Sequence, residues 1–201
     1  MKPPTLLSEL IEAFCCLPGV GRKSAQRMAY HLLDKDRQGG LLLSSNLQQA
    51  MRDIGNCNRC RDYTESDECQ ICKNDRRDKT LLCVVESPSD VVAIESTANF
   101  NGNFFVLLGQ LSPLDGIGPN EIGMPLLAQR LSEGLIREVI VATSSTIEGE
   151  ATAHYIAQMT QQNIDKSIQV SRLAQGVPVG GELEYLDQST LSLSLTNRKT
   201  I

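Results

Sequence analysis

Apolar positions in the first fifty residues recur at intervals of three and four. In residues 5–16 (TLLSELIEAFCC), Leu6, Leu7, Leu10, Ile11 and Phe14 fall on one helical face. Leu17-Pro18-Gly19-Val20-Gly21 interrupts the pattern, and residues 23–33 resume it with Ala25, Met28, Ala29, Leu32 and Leu33 on one side. Gly39-Gly40 predicts a second break, followed by a third helix over about 45–54. After residue 79 the period changes. TLLCVVES (80–87), FFVLLG (104–109), EVIVAT (138–143) and IQVSRL (168–173) are short β-branched or apolar runs, separated by helical patterns over 90–98, 121–135 and 149–162. Continuous apolar strands alternating with helices predict a parallel sheet covered on both faces, an α/β fold. GVPVGG (176–181) reads as a tight turn leading to a tail with a short helix over 187–196.

Length and charge narrow this picture. A chain of 201 residues holds two compact units or one domain with additions. Three short helices make a thin core, which predicts a staple, an oligomeric partner or both. No apolar run has signal-peptide length, and none approaches the roughly 20 residues that span a bilayer, so a cytoplasmic protein without a membrane partner is expected. Residues 1–80 carry 13 Lys+Arg against 11 Asp+Glu, a balance of +2; residues 81–201 carry 6 against 13, a balance of −7, giving the chain's −5. That acidity excludes a protein that coats nucleic acid with its whole surface and leaves room for a basic patch near the N-terminus. With no Trp, four Tyr and four Phe, a base-stacking platform is poorly supplied.

The sharpest motif is Cys57-x2-Cys60, an eight-residue gap, then Cys69-x2-Cys72. Two such knuckles present two thiolates each to one tetrahedral ion, which predicts one structural Zn2+ per chain with no open position. Unrelated thiols or a pair of disulfides fit a reducing compartment less well, while iron shares the ligand preference. The expected site lies just after the thin helical unit and would help to fold it. Arg59, Arg61, Lys73, Arg76 and Arg77 flank the cysteines, where they could touch nucleic acid but are read as offsetting a tetrathiolate's net charge or simply as solvated side chains. Cys15, Cys16 and Cys83 stand in apolar contexts and read as small core residues. His31 and His154, the chain's two histidines, read as surface or packing residues.

Two further stretches bear on chemistry. CCLPGVGRKSAQRMA (15–29) invites comparison with a phosphate-binding loop, but that loop needs glycines where Leu17 and Arg22 stand, and a strand before it where this pattern is helical. The alternative is a helical hairpin in which Gly19 and Gly21 let the backbone approach a phosphate, with Arg22 and Lys23 beside the helix start. An ordinary helix–turn–helix corner fits the residues equally well. In the sheet region, Glu86 ends the first strand, and Glu148 and Glu150 follow the strand EVIVAT. Three carboxylates at strand ends suggest a Mg2+ site, or two of them simply favour a helix N-terminus.

In order along the chain, LPGVGRKSAQRMA, the paired CxxC, VVESPSDVVAIE (84–95), LSPLDGIGP (111–119), IEGEATA (147–153) and GVPVGGELEY (176–185) resemble the RecR family of bacterial recombination mediators. The resemblance covers essentially the whole chain. It implies a helix-hairpin-helix DNA-binding unit at 1–55, a four-cysteine zinc finger at 57–72, a Toprim domain at 80–175 and a C-terminal tail at 176–201. It further implies a ring-like homotetramer that encircles DNA without reading its sequence. Such a protein works with RecO, and in some settings RecF, to help RecA displace single-strand-binding protein at gaps. On this basis the opening stretch is the DNA-facing hairpin, with Lys23 and Arg27 as its basic residues beside Gly19, Gly21 and Arg22; Arg22 stands where many relatives have proline.

Toprim enzymes such as primases add an Asp-x-Asp to the first glutamate, and aligned on E-G-E those aspartate positions here hold Ser144 and Thr146. Two-metal phosphoryl chemistry is therefore not expected. Glu86, Glu148 and Glu150 are expected to receive RecO, with room for one weakly held Mg2+. Ser144-Ser145 replaces a common Asn-Pro, and Gln175 replaces a basic or imidazole side chain.

Overall fold

The computed structural model describes residues 5–174, 176–196 and 198, so Gln175 lies outside the described residues. The chain divides after Ile54 into two units. In the first, α1 (Thr5–Phe14) packs on α2 (Arg22–Asp34), and α3 (Arg37–Asp53) follows. The buried core here is Ile11, Ala25 and Ala29, with Leu7, Leu10, Phe14, Cys15 and Val20 partly buried around it. Alanines one turn apart on α2 carry no bulk, so α1 can approach closely.

Gly39-Gly40 does not break the chain as the sequence suggests. Asp36 caps α3, its Oδ1 accepting the Gly39 N–H at 2.8 Å, and a Cβ at Gly39 would stand 2.1 Å from Asp36 Oδ2. The glycine makes room for the cap, which offsets its helix-propensity cost of about 1 kcal/mol. The helix then begins eight residues earlier than the expected 45, at Arg37. None of its residues is buried, and Leu41, Leu42, Leu43, Leu47 and Met51 are each half exposed or more.

The second unit opens with a two-stranded antiparallel ladder, β1 (Gly55–Asn56) and β2 (Tyr63–Thr64), and the short α4 (Gln70–Lys73). A parallel sheet follows: β3 (Asp78–Val85), β4 (Gly102–Val106), β5 (Glu138–Ala142) and β6 (Gln169–Arg172), in the order β4-β3-β5-β6. Its crossovers are α5 (Pro88–Ser96), α6 (Met124–Leu131) and α7 (Ile147–Gln158), the last running into a wider turn through Ile164. The tail carries α8 (Gln188–Thr196).

Strand alternation explains why the runs are apolar throughout. Leu82, Val84, Phe105, Val139 and Val141 face one core with Met124, Leu127 and Ile156. Their neighbours Cys83, Val85, Phe104 and Val106 face the other, with Val91 of α5. Cys83 is thus a core residue, its thiol pushed up to about 12 by burial. Cys15 is half-buried, whereas Cys16 is exposed and not the core residue its context suggests, because α1 ends before it. Among the described residues no helix is long and apolar enough to cross a membrane.

Candidate nucleic-acid interface and metal centre

The hairpin between α1 and α2 turns on Gly19, whose φ of +77° is open to glycine and strained for other residues. Nothing lies within 4 Å of where its Cβ would be, so conformation rather than space demands the glycine. Val20 N–H closes the turn on Leu17 O at 3.1 Å. Gly21 is then the N-cap of α2, extended at φ −81° and without a side chain to satisfy the first turn, which also holds no acidic residue. The helix start leaves N–H groups for an anion. Lys23 and Arg27 are exposed beside it. Arg22 is exposed too, yet leans back to Glu12 at 3.5 Å, a surface pair of the weak kind.

The cysteines form the best-defined centre. Their four Sγ atoms lie within 4.8 Å of one another, and among the described residues this is the group of His, Cys, Asp or Glu placed to hold a metal ion. The first knuckle is the turn joining β1 to β2, with Arg61 N–H donating to Cys57 O at 2.8 Å; the second opens α4, whose N-cap is Cys69. Cys60 Sγ and Cys69 Sγ are 3.5 Å apart, close to the roughly 3.8 Å edge of a tetrahedron with ~2.3 Å Zn–S bonds. Cys57, Cys60 and Cys69 are buried and Cys72 is half-buried. Burial pushes the Cys57 thiol up, but backbone N–H groups from Cys69, Cys60 and Arg59 outweigh it and bring it down to about 7. Hydrogen bonding with Cys72, then burial, drives Cys60 far above the usual range, and burial takes Cys69 to about 11. Four sulfurs converging within bonding reach of one point make a donor set that suits a thiophilic divalent cation, which displaces the thiol protons on binding.

This centre belongs to the second unit, contrary to the expectation that it staples the first. Val106 N–H donates to Cys60 O at 2.8 Å, joining the finger to the outer strand β4, and Ile71 packs against both the cysteines and the core around Val91. Of the basic residues near the cysteines, Lys73 and Arg76 are exposed, whereas Arg59, Arg61 and Arg77 have specific partners. Arg59 makes a two-point bridge to Glu133 at 2.9 and 3.0 Å. Arg61, at φ +66°, donates through Nη1 to Leu107 O and Ile122 O at 2.9 and 2.7 Å and lies over the Phe105 ring. Gly123 is required beside it, since a Cβ there would fall 2.0 Å from that Nη1. Arg77 donates to Gly102 O and pairs with Glu95.

At the C-terminal ends of the strands, a cavity of about 610 Å³ is lined by Tyr63, Glu86, Ser87, Gln110, Ser144 and Thr146, among others. Ser144 donates its N–H and its Oγ–H to Glu86 Oε1 at 3.0 and 3.1 Å. The hydroxyl at the first aspartate position thus answers the glutamate that a cation would otherwise bridge. Glu150 pairs with Arg172, whose Nη2 also donates to Ser144 O at 3.1 Å, and Glu148 sits in the first turn of α7. The three carboxylates go to different places rather than forming one cation site. Tyr63 and Gln110 escaped the sequence reading because no motif marks them, and Arg59, Arg61 and Arg77 stand out there as charges near the cysteines but not as clamps.

The chain joins a helical hairpin unit to a cysteine-bearing α/β unit, and the comparisons place this build among DNA recombination proteins. Residues 7–51 match the family model described as RecR, helix-hairpin-helix; residues 80–174 match the Toprim domain, and 176–199 match RecR, C-terminal. Recombination protein RecR from Xanthomonas campestris pv. campestris, strain 8004, is 55% identical over 197 residues, covering 98% of each chain, and the protein of the same name from strain ATCC 33913 matches to the same extent. The chain belongs to the RecR family, and its role lies in recombination and repair.

Proposed function

We propose that this chain is a non-catalytic recombination mediator that works with RecO, and in some settings RecF, to help RecA load onto gapped DNA coated by single-strand-binding protein. The observation that carries the reading is the hairpin. An uncapped α2 start behind the left-handed Gly19, with Lys23 and Arg27 exposed, suits a duplex backbone and no base sequence. Gly19 and Gly21 admit the phosphate, while Arg22 adds charge less directly because Glu12 shares it.

One Zn2+ per chain, held by Cys57, Cys60, Cys69 and Cys72, supplies folding energy and no open coordination position. Glu86 just after β3, with Glu148 and Glu150 in the first turn of α7, receives a basic surface of RecO. The exposed leucines of α3 support self-association, since so much apolar surface is rarely left to water, and the assembly is read as a ring-like homotetramer of a cytoplasmic protein. The test is RecA filament growth on gapped, coated DNA with this protein, RecO, or both. Acceleration with both together is expected; none with any combination rejects the mediator reading.

A further inference from the structure

Arg130 projects from α6 into the interior of the second unit, and it is only 7% exposed. Its Nη1 donates to Arg59 O at 2.7 Å and to Phe104 O at 2.8 Å, while its Nε is buried with no hydrogen-bond partner. Both acceptors are neutral carbonyls. Among the described residues, no carboxylate lies within salt-bridge distance of it, although Arg59, Arg77 and Arg172 each have one. A buried cation without a counter-charge costs several kcal/mol, so something nearby must balance it.

Two observations say what does. Arg59 O belongs to the first cysteine knuckle, between Cys57 and Cys60, so Arg130 grips the loop that presents two of the thiols. Arg130 and Cys72 also line the same small cavity of about 290 Å³, whose other charged residues are Glu68, Lys79 and the mutually engaged Arg59 and Glu133, neither carboxylate being within salt-bridge distance of Arg130. A divalent ion in four thiolates keeps two surplus negative charges, in a place where three of the four sulfurs are buried. We propose that Arg130 is the counter-ion and positioning residue of the tetrathiolate centre: its charge balances the metal–thiolate group, and its two carbonyl bonds hold the first knuckle against β4. The inference rests on reading the cysteines as a zinc site. The flanking arginines are committed elsewhere or exposed: Arg59 bridges Glu133, Arg61 reaches Leu107 and Ile122, Arg77 pairs with Glu95, and Arg76 is exposed.

The test measures zinc affinity of the full chain by competition with a chromophoric chelator. Arg130→Met removes the charge at similar bulk and is expected to weaken zinc about 10- to 100-fold. Arg130→Lys keeps the charge and is expected to stay within roughly three-fold of wild type. Charge is separated from packing with Cys72→His, which lowers the centre from two surplus negative charges to one; in that background the Arg130→Met penalty should shrink several-fold. An undiminished penalty overturns the proposal, and so does a lysine variant as weak as the methionine one. If Arg130→Met does not fold, the lysine variant decides alone: retention supports the counter-ion, and a loss of about ten-fold or more overturns it. A wild-type chain that binds no zinc removes the zinc reading itself, whereas wild-type binding that Arg130→Met leaves unchanged removes only this inference.

Discussion

The seventeen residues of α3 bury nothing, while the eight of α6 bury Met124, Leu127, Arg130 and Leu131. Both helices are well supplied with leucine. In the second unit α6 has a sheet to lie on, and Leu127 and Leu131 enter a core with Leu82, Val84 and Phe105. In the first unit α3 has two short helices whose own core is one isoleucine and two alanines. Apolar patterning therefore specifies a helix in both places but a folded interior in only one. A unit so poor in internal burial depends on surfaces supplied from outside it.

That contrast can be broken or sharpened by experiment, starting with the largest effect. Stripping the metal should cost the second unit on the order of 5 kcal/mol or more, because site formation and folding are linked. Hydrogen exchange should then accelerate in β4 and the cysteine loops while α1 and α2 keep their protection. Accelerated exchange confined to α1 and α2 would return the centre to the role of staple for the first unit. Next, Phe105→Ala should lose about 3–5 kcal/mol in urea unfolding, since the ring is buried in the larger core. A loss under ~1 kcal/mol would mean the second core is as thin as the first.

Replacing Leu43 and Leu47 together by glutamine should change subunit stability by less than about 0.5 kcal/mol, as both are exposed. The same change should shift sedimentation toward smaller species; an unaltered distribution would free α3 from any part in assembly. Smallest in energetic terms, Lys23→Ala with Arg27→Ala should leave the unfolding curve in place and lower the slope of log K against log salt by about 2 for duplex DNA. An unchanged slope would remove the hairpin from the DNA contact.

Much of this architecture was legible in the residues. Strands of β-branched runs alternating with helices announce a parallel sheet, because burial on both faces leaves no polar alternation to disguise them. The cysteine spacing marked its centre for a similar reason: knuckle geometry is local and forces a fixed interval. The extent of α3 was misjudged at Gly39, where a side chain three residues earlier overrides glycine's poor helix propensity. The clamps were invisible. Arg61 reaches carbonyls 46 and 61 residues away, and Arg130 reaches one 71 residues back, and backbone carbonyls carry no sequence signature. The pairing of Ser144 with Glu86 was half legible, as a missing aspartate but not as its hydrogen-bonded substitute.

The bond from Val106 N–H to Cys60 O has a consequence for how the chain is made. β4 is the outer strand of the parallel sheet, and an open strand edge is a template for pairing with other nascent chains. A ribosome delivers the cysteine loops at 57–72 before it delivers residues 102–106. The part of the cover that Cys60 supplies is therefore already outside the exit tunnel when the strand that needs it emerges.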